Sequence, residues 1–272
     1  MIQIERHGPV RKFRLARSFG KKGLYFTTAY WVDGLLIDTG CRHTVPELMP
    51  ALATLPVGTI VNTHSHEDHI AGNAPLQAER KVTILAHPLA LPILADPRGK
   101  QPLNAYRKVM WGTPDPSRGK PLGEKISTEH YTFLVIPTPG HSPDHICLFE
   151  PEQGWLFTGD AYVGGREKAL RVDYDIWGIL GSLKKLAQYP VRRLFPGSGT
   201  VRENPLPEML KKITTLEELA ERVLTLHRQG MPIHRIRRRL LGREALMTYL
   251  TFGHFSGYGL IRSFIVNQPA DA

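Results

Sequence analysis

The chain has 272 residues, 42% hydrophobic and 22% charged, with a formal net charge of +10. That balance is ordinary for a globular protein, and two cysteines, Cys41 and Cys147, with no Cys-x-x-Cys pair, exclude a disulfide framework. No apolar run reaches the ~18–20 residues that span a bilayer, and the first residues carry charges throughout with no signal-type apolar stretch. A cytoplasmic protein without a membrane partner is expected.

Residues 27–39, TTAYWVDGLLIDT, read as a β-hairpin turning on Asp33-Gly34. VGTIVNT (57–63) is a short apolar strand that ends where a histidine cluster begins, and KVTILAH (81–87) is another. The stretch 97–124, rich in Pro, Gly and Lys, reads as a long surface loop of the kind that borders a substrate site. Residues 131–138, 145–150 and 154–159 are three more strands, the last two joined by a turn at Pro151–Gly154. A helical pattern over 179–188 precedes a strand over 191–197.

The character changes after about Gly199. Residues 206–229 form one long amphipathic helix pattern, with Leu210, Ile213, Leu216, Leu219, Val223 and Leu226 near one stripe. Gly230 ends it and Pro232 begins the next helix. Residues 1–204 are therefore expected to form an α/β core and 205–272 a helical C-terminal subdomain. The basic run His234–Arg239 has Ile233, Ile236, Leu240 and Leu241 at helical spacing, which reads as the solvated face of a packed helix.

The decisive segment is Thr63-His64-Ser65-His66-Glu67-Asp68-His69. In an extended segment residues two apart point to the same side, so His64 and His66 can grip one ion, and a helix starting next turns Asp68 and His69 toward a neighbouring position. Imidazole and carboxylate suit zinc, and also iron or manganese. Two later ligand types sit at strand ends: His141 in Pro139-Gly140-His141-Ser142-Pro143-Asp144-His145, and Asp160 in Thr158-Gly159-Asp160. His145 reads either as a residue orienting a ligand or as a packed strand start. Tyr162 reads as pocket lining or core cover, and His87 as a strand-end residue.

With the hairpin ending Leu36-Ile37-Asp38-Thr39-Gly40, this ordered set resembles the metallo-β-lactamase superfamily over roughly residues 25–200. The Gly-His-Ser-Pro-x-His segment at 140–145 is most similar to glyoxalase II-like hydrolases. The resemblance implies an α/β fold, a four-layer αββα sandwich with metals at one edge. It implies a first metal on His64, His66 and His141, a second on Asp68 and His69, and Asp160 bridging the two. The family's last ligand is a histidine in Pro-Gly-His; here Pro196-Gly197-Ser198-Gly199 stands at that place, so Ser198 replaces it. A hydroxyl is a poorer zinc ligand than imidazole, and the second site is expected to be weak or variable. His254 is one residue that could fold in to complete it.

The chemistry implied is hydrolysis by a metal-activated water, whose pKa falls to about 7 in such sites, with zinc (one or two ions; iron or manganese also suit). Asp160 and Asp68 are the candidate catalytic residues, orienting that water and accepting its proton. An ester-type bond, meaning thioester, lactone or ester, is the favoured target, in a small-molecule substrate that the basic charge allows to be anionic. Alternatives are phosphodiester or nucleic-acid hydrolysis, motivated by Arg235–Arg239 but not favoured, a mononuclear iron persulfide dioxygenase, and a non-catalytic binding module.

Overall fold

A computed structural model describes residues 1–20 and 22–268. In chain order it contains β1 (Ile2–His7), β2 (Val10–Phe19), β3 (Lys22–Val32), β4 (Leu35–Ile37), α1 (Val45–Ala51), β5 (Thr59–Val61), α2 (Asn73–Arg80) and β6 (Thr83–Ala86). Three short helices follow, α3 (Leu91–Ala95), α4 (Pro97–Lys100) and α5 (Ala105–Met110), and then β7 (Gly119–Pro121), β8 (Lys125–Ser127), β9 (Thr132–Pro137), β10 (Ile146–Glu150) and β11 (Trp155–Gly159). The remainder is β12 (Leu170–Arg171), α6 (Ile176–Leu186), β13 (Arg193–Pro196), β14 (Arg202–Glu203), α7 (Leu206–Arg228), α8 (Ile233–Leu241), α9 (Leu246–Leu250), β15 (Phe255–Ser256) and α10 (Gly257–Val266).

These elements group into two compact units. The first comprises Met1–Pro137, Asp144–Val163 and Arg192–Glu203; the second comprises Thr138–Pro143, Gly164–Val191 and Asn204–Ala272. The 205–272 segment lies within the second unit, together with two shorter pieces from earlier in the chain.

The first unit holds two large sheets. One has seven strands in the order β1-β2-β3-β4-β5-β6-β7, the other six in the order β14-β13-β11-β10-β9-β8. The first sheet is antiparallel from β1 to β4 and parallel from β4 to β7. Residues of both sheets share one apolar cluster, including Tyr30, Val32, Ile37 and Val61 from the first and Phe133, Leu148, Phe157 and Phe195 from the second. Phe157 and Phe195 stack with ring centroids 4.6 Å apart. Burying each such side chain stabilises the fold by ~1.5–3 kcal/mol. The opposite face of the first sheet is covered by Leu48, Leu52, Leu76 and Leu94 of α1, α2, α3 and their flanks. β5 and β10 are buried on both faces, which is why they read as continuous apolar runs rather than alternating ones.

The Asp33-Gly34 hairpin forms as expected, with Val32 opposite Leu35 and both turn residues at positive φ. The 97–124 stretch is not a plain loop. It carries α4, α5 and β7, with Pro97 and Asn104 as helix starters: Pro97 opens α4 and the Asn104 side chain accepts the Arg107 N–H.

In the second unit, α7 buries Met209, Ile213, Leu216, Leu219, Ala220, Val223 and Leu226, at spacings of three and four. Leu210, placed on the stripe by the sequence, is exposed, and Met209 takes the inner position one residue earlier. In α8 only Ile236 is fully buried, while Arg235, Arg238 and Arg239 face solvent. Both cysteines are buried free thiols. Among the described residues no helix is long and apolar enough to cross a membrane.

Candidate metal centre

The parallel strands β4 and β5 deliver the cluster, since loops at the carboxyl ends of parallel strands are where α/β sheets present ligands. Asp38 follows β4 in a left-handed conformation, φ 60°, rare for a residue other than glycine and a sign of local strain held by its surroundings. Its carboxylate accepts the Thr63 N–H at 2.8 Å, the Thr63 hydroxyl at 2.7 Å and the His69 ring through Nδ1 at 2.8 Å. The other ring nitrogen of His69, Nε2, is thereby aimed away from Asp38.

Beyond β5, His64, His66, Asp68 and His69 are all buried. The rings of His64 and His66 lie 4.5 Å apart, and those of His64 and His69 4.2 Å. Asp144 accepts the N–H of Ser65 at 2.8 Å, gripping the peptide between the two histidines. A buried network of Thr39, Asn62 and Asn73 binds the same loop from behind, with Thr39 donating to the His69 carbonyl at 3.1 Å.

β11 brings in Asp160 at its end. His64, His69 and Asp160 offer ligand atoms that all lie within 4.8 Å of one another. Gly159 and Gly197 make this approach possible: a Cβ on Gly159 would lie 2.7 Å from Thr63 Oγ1, and one on Gly197 2.4 Å from Asp160 Oδ1. His145 accepts the Asp160 N–H through Nε2 at 3.1 Å. Burial pushes its pKa down to about 4, so it is a neutral acceptor that fixes the Asp160 backbone.

The electrostatics call for a cation. His69 Nε2 is fully buried and makes no hydrogen bond, standing 3.7 Å from Asp160 Oδ1 and 3.8 Å from Asp68 Oδ2. Burial pushes the Asp68 carboxyl up to about 7 against the pull of His69. For His69, burial would lower the pKa, but Asp38, Asp160 and Asp68 together hold it well above the usual histidine value. Three carboxylates converging on one buried imidazole are relieved when a divalent ion takes their charge. The donor set of imidazole and carboxylate suits zinc, iron or manganese, so these residues fit a bound metal.

The first unit thus brings together His64, His66, Asp68, His69 and Asp160. His141 lies in the second unit, on Thr138–Pro143. Its Nε2 is 3.3 Å from the Tyr174 hydroxyl, and their rings are 4.3 Å apart. Tyr174 also lines a cavity of about 540 Å³ with Tyr258, Arg262 and Asn267.

Ser198 stands after β13. Its side chain lies near the Tyr25 hydroxyl, whose pKa is raised by burial and by the nearby Asp160 and Asp68 carboxylates. Tyr25 therefore reaches this corner with its hydroxyl, although its ring is 39% exposed. His254 lies in the second unit, where its carbonyl accepts the Val172 N–H at 3.0 Å. Tyr162 is a core residue under Arg202, and His87 caps the short turn after β6. Sequence reasoning missed Tyr25, the roles of Asp38 and Asp144, and Arg107. Arg107 pairs with Glu67 inside the histidine motif through Nε and Nη2. Only Glu67's place between His66 and Asp68 hinted at such a partner.

The metallo-β-lactamase superfamily profile matches residues 23–198. The atrochrysone carboxyl ACP thioesterase of Aspergillus fumigatus is 30% identical over 197 residues, 71% of this chain and 55% of that protein. A beta-lactamase-like protein 2 homolog of Drosophila melanogaster is 26% identical over 205 residues, 70% of this chain and 63% of its own length. The chain thus spans between half and two thirds of these relatives. A metallo-beta-lactamase family protein from Thermus thermophilus superposes with a TM-score of 0.66 at 18% identity, covering 94% of this chain and 90% of that one. Another solved structure, a di-iron-bound form, matches at TM-score 0.55 and 29% identity over 68% of this chain and 93% of its own. By fold, ligand motif and sequence, the chain belongs to the metallo-β-lactamase superfamily.

Proposed function

We propose that this protein is a metal-dependent hydrolase of a thioester-like bond in a small molecule. The observation that carries the reading is the convergence of His64, His69 and Asp160 within 4.8 Å, with the buried His69 Nε2 facing two carboxylates. The thioesterase among the relatives supports the thioester class, and the Gly-His-Ser-Pro-x-His segment supports a glyoxalase II-like subgroup.

His64, His66 and His141 would hold one ion, and Asp68 and His69 a second, more weakly held one, with Asp160 shared. Ser198 in place of a histidine is the reason for the weaker second position. Zinc suits these ligands, and the di-iron relative supports iron equally. A divalent ion here supplies Lewis acidity, polarising the scissile carbonyl and lowering the pKa of a water to about 7. Asp160 and Asp68 orient the attacking water through their carboxylate oxygens and take its proton. Asp38 keeps the His69 ring turned so that Nε2 faces those oxygens. His145 holds the Asp160 peptide, and Arg107 through Glu67 fixes the loop that carries His66 and Asp68.

The test is turnover by metal-replete protein on a panel of thioesters, lactones and carboxylic esters. Thioester hydrolysis is expected, reduced at least ~100-fold in Asp160→Asn. Absence of turnover across the panel, or equal turnover by the variant, refutes the reading.

A further inference from the structure

The five-residue helix α9 and the turn after it present Leu246, Met247, Tyr249, Leu250 and Phe252 at 46–88% exposure. Scattered exposed apolar side chains are normal, but a contiguous group of this size marks an interaction surface. None of the residues of α9 is buried, so they add nothing to the core. The segment is held by polar contacts at its edges. Glu244 accepts the Thr248 hydroxyl at 3.0 Å and the N–H groups of Gly257 and Tyr258 at 2.9 and 3.1 Å, and Thr251 accepts the Phe255 N–H at 3.1 Å. Phe252 itself has φ 52°, a conformation costly for a bulky residue, and it displays the ring outward.

The exposed flanking charge is one-signed. Arg235, Arg238, Arg239 and Arg243 are exposed, and among the described residues none of the four has a carboxylate partner. Arg237 alone is paired, with Glu244 at 3.4 Å.

We infer that α9, with the arginines of α8 beside it, docks on the surface of an anionic lipid bilayer. Three physical arguments select this occupant. At 3.6 residues per turn, Leu246, Met247, Tyr249 and Leu250 spread over about 160° of the helix. A shaped protein groove takes a single stripe, whereas a fluid interface accepts a wide apolar face with basic neighbours. A two-fold contact with a second copy matches each surface patch with itself and would set the four arginines against four more. A nucleic acid would meet the arginines and leave the apolar cluster in water. The surface is independent of the proposed hydrolysis.

The test is co-sedimentation of the full chain with vesicles of phosphatidylcholine alone and of phosphatidylcholine with phosphatidylglycerol. The wild type is expected to partition at least ~10-fold more strongly onto the anionic vesicles, and less so in high salt. Leu250→Glu with Phe252→Glu should lose at least ~10-fold of that binding at an unchanged Tm. Replacing Arg235, Arg238, Arg239 and Arg243 by Gln should remove the preference for anionic lipid. If the paired glutamates lower Tm, Leu246→Ser and Phe252→Ser carry the same test singly. Wild type that stays in the supernatant, or variants that sediment equally, overturn the proposal. So does a solution dimer, or a complex with an acidic protein, that the glutamate variant abolishes in the absence of vesicle binding.

Discussion

Arg107 closes a buried bidentate ion pair on Glu67, with Nε 2.7 Å from Oε1 and Nη2 against Oε2. One partner lies in α5, in the stretch that sequence reading makes a loop, and the other lies between His66 and Asp68. Arg107→Met would leave the Glu67 carboxylate buried and uncompensated, a change that costs ~3–5 kcal/mol. Combining it with Glu67→Gln should recover most of that loss, because the stranded charge is gone. Denaturant unfolding of the two singles and the double checks this as a mutant cycle; a single-variant loss below ~1 kcal/mol would mean the pair is dispensable.

Asp38 acts on the centre without reaching it, through three hydrogen bonds to Thr63 and His69. Asp38→Asn should weaken metal binding ~10–100-fold, read by competition with a chromogenic chelator. Unaltered affinity would show that the His69 ring is oriented by other means.

Two glycines separate a site effect from a helix effect. Gly197→Ala places a methyl 2.4 Å from Asp160 Oδ1 and 2.7 Å from the Gly159 carbonyl carbon, so metal content and activity should fall together. Gly181 is exposed in α6, with nothing within 4 Å of where an added methyl would sit. Its change to Ala should gain ~0.8–1 kcal/mol of stability, with activity untouched. Thermal unfolding and elemental analysis of both variants distinguish the two cases.

Ser198→His offers an imidazole at the corner now occupied by the Tyr25 hydroxyl. Metal content is expected to rise by about one ion per chain when Tyr25→Phe is introduced with it, imidazole being the better ligand. No rise would mean that water or another side chain already completes the second position.

The candidate metal ligands were legible because their chemistry is unusual: three histidines and an aspartate in six positions have no structural purpose, and strand ends are where such ligands sit. The buried strands were legible as apolar runs. The N-terminal hairpin β1–β2 was not, because its inward residues are interrupted by charge. Lys12 is buried there, and its ammonium group is satisfied by Glu5 at 3.2 Å and the Gly199 carbonyl at 3.1 Å, a tertiary solution that no local pattern announces. Asp38 and Asp144 are ordinary carboxylates in sequence and acquire roles only when the end of β4 and Asp144, just before β10, meet the histidine loop. In 97–124, Pro97 and Asn104, which looked like loop punctuation, are helix starts, since the same residues serve both ends of that distinction.

The most direct test of the metal centre is metal content per chain, by elemental analysis of protein purified without chelator, for the wild type and for His64→Asn with His66→Asn. The wild type is predicted to carry at least one equivalent of zinc, iron or manganese, and the double variant to lose it with the circular dichroism spectrum retained. A wild type free of metal, or a double variant that carries as much as the wild type, would contradict the assignment of these histidines as ligands.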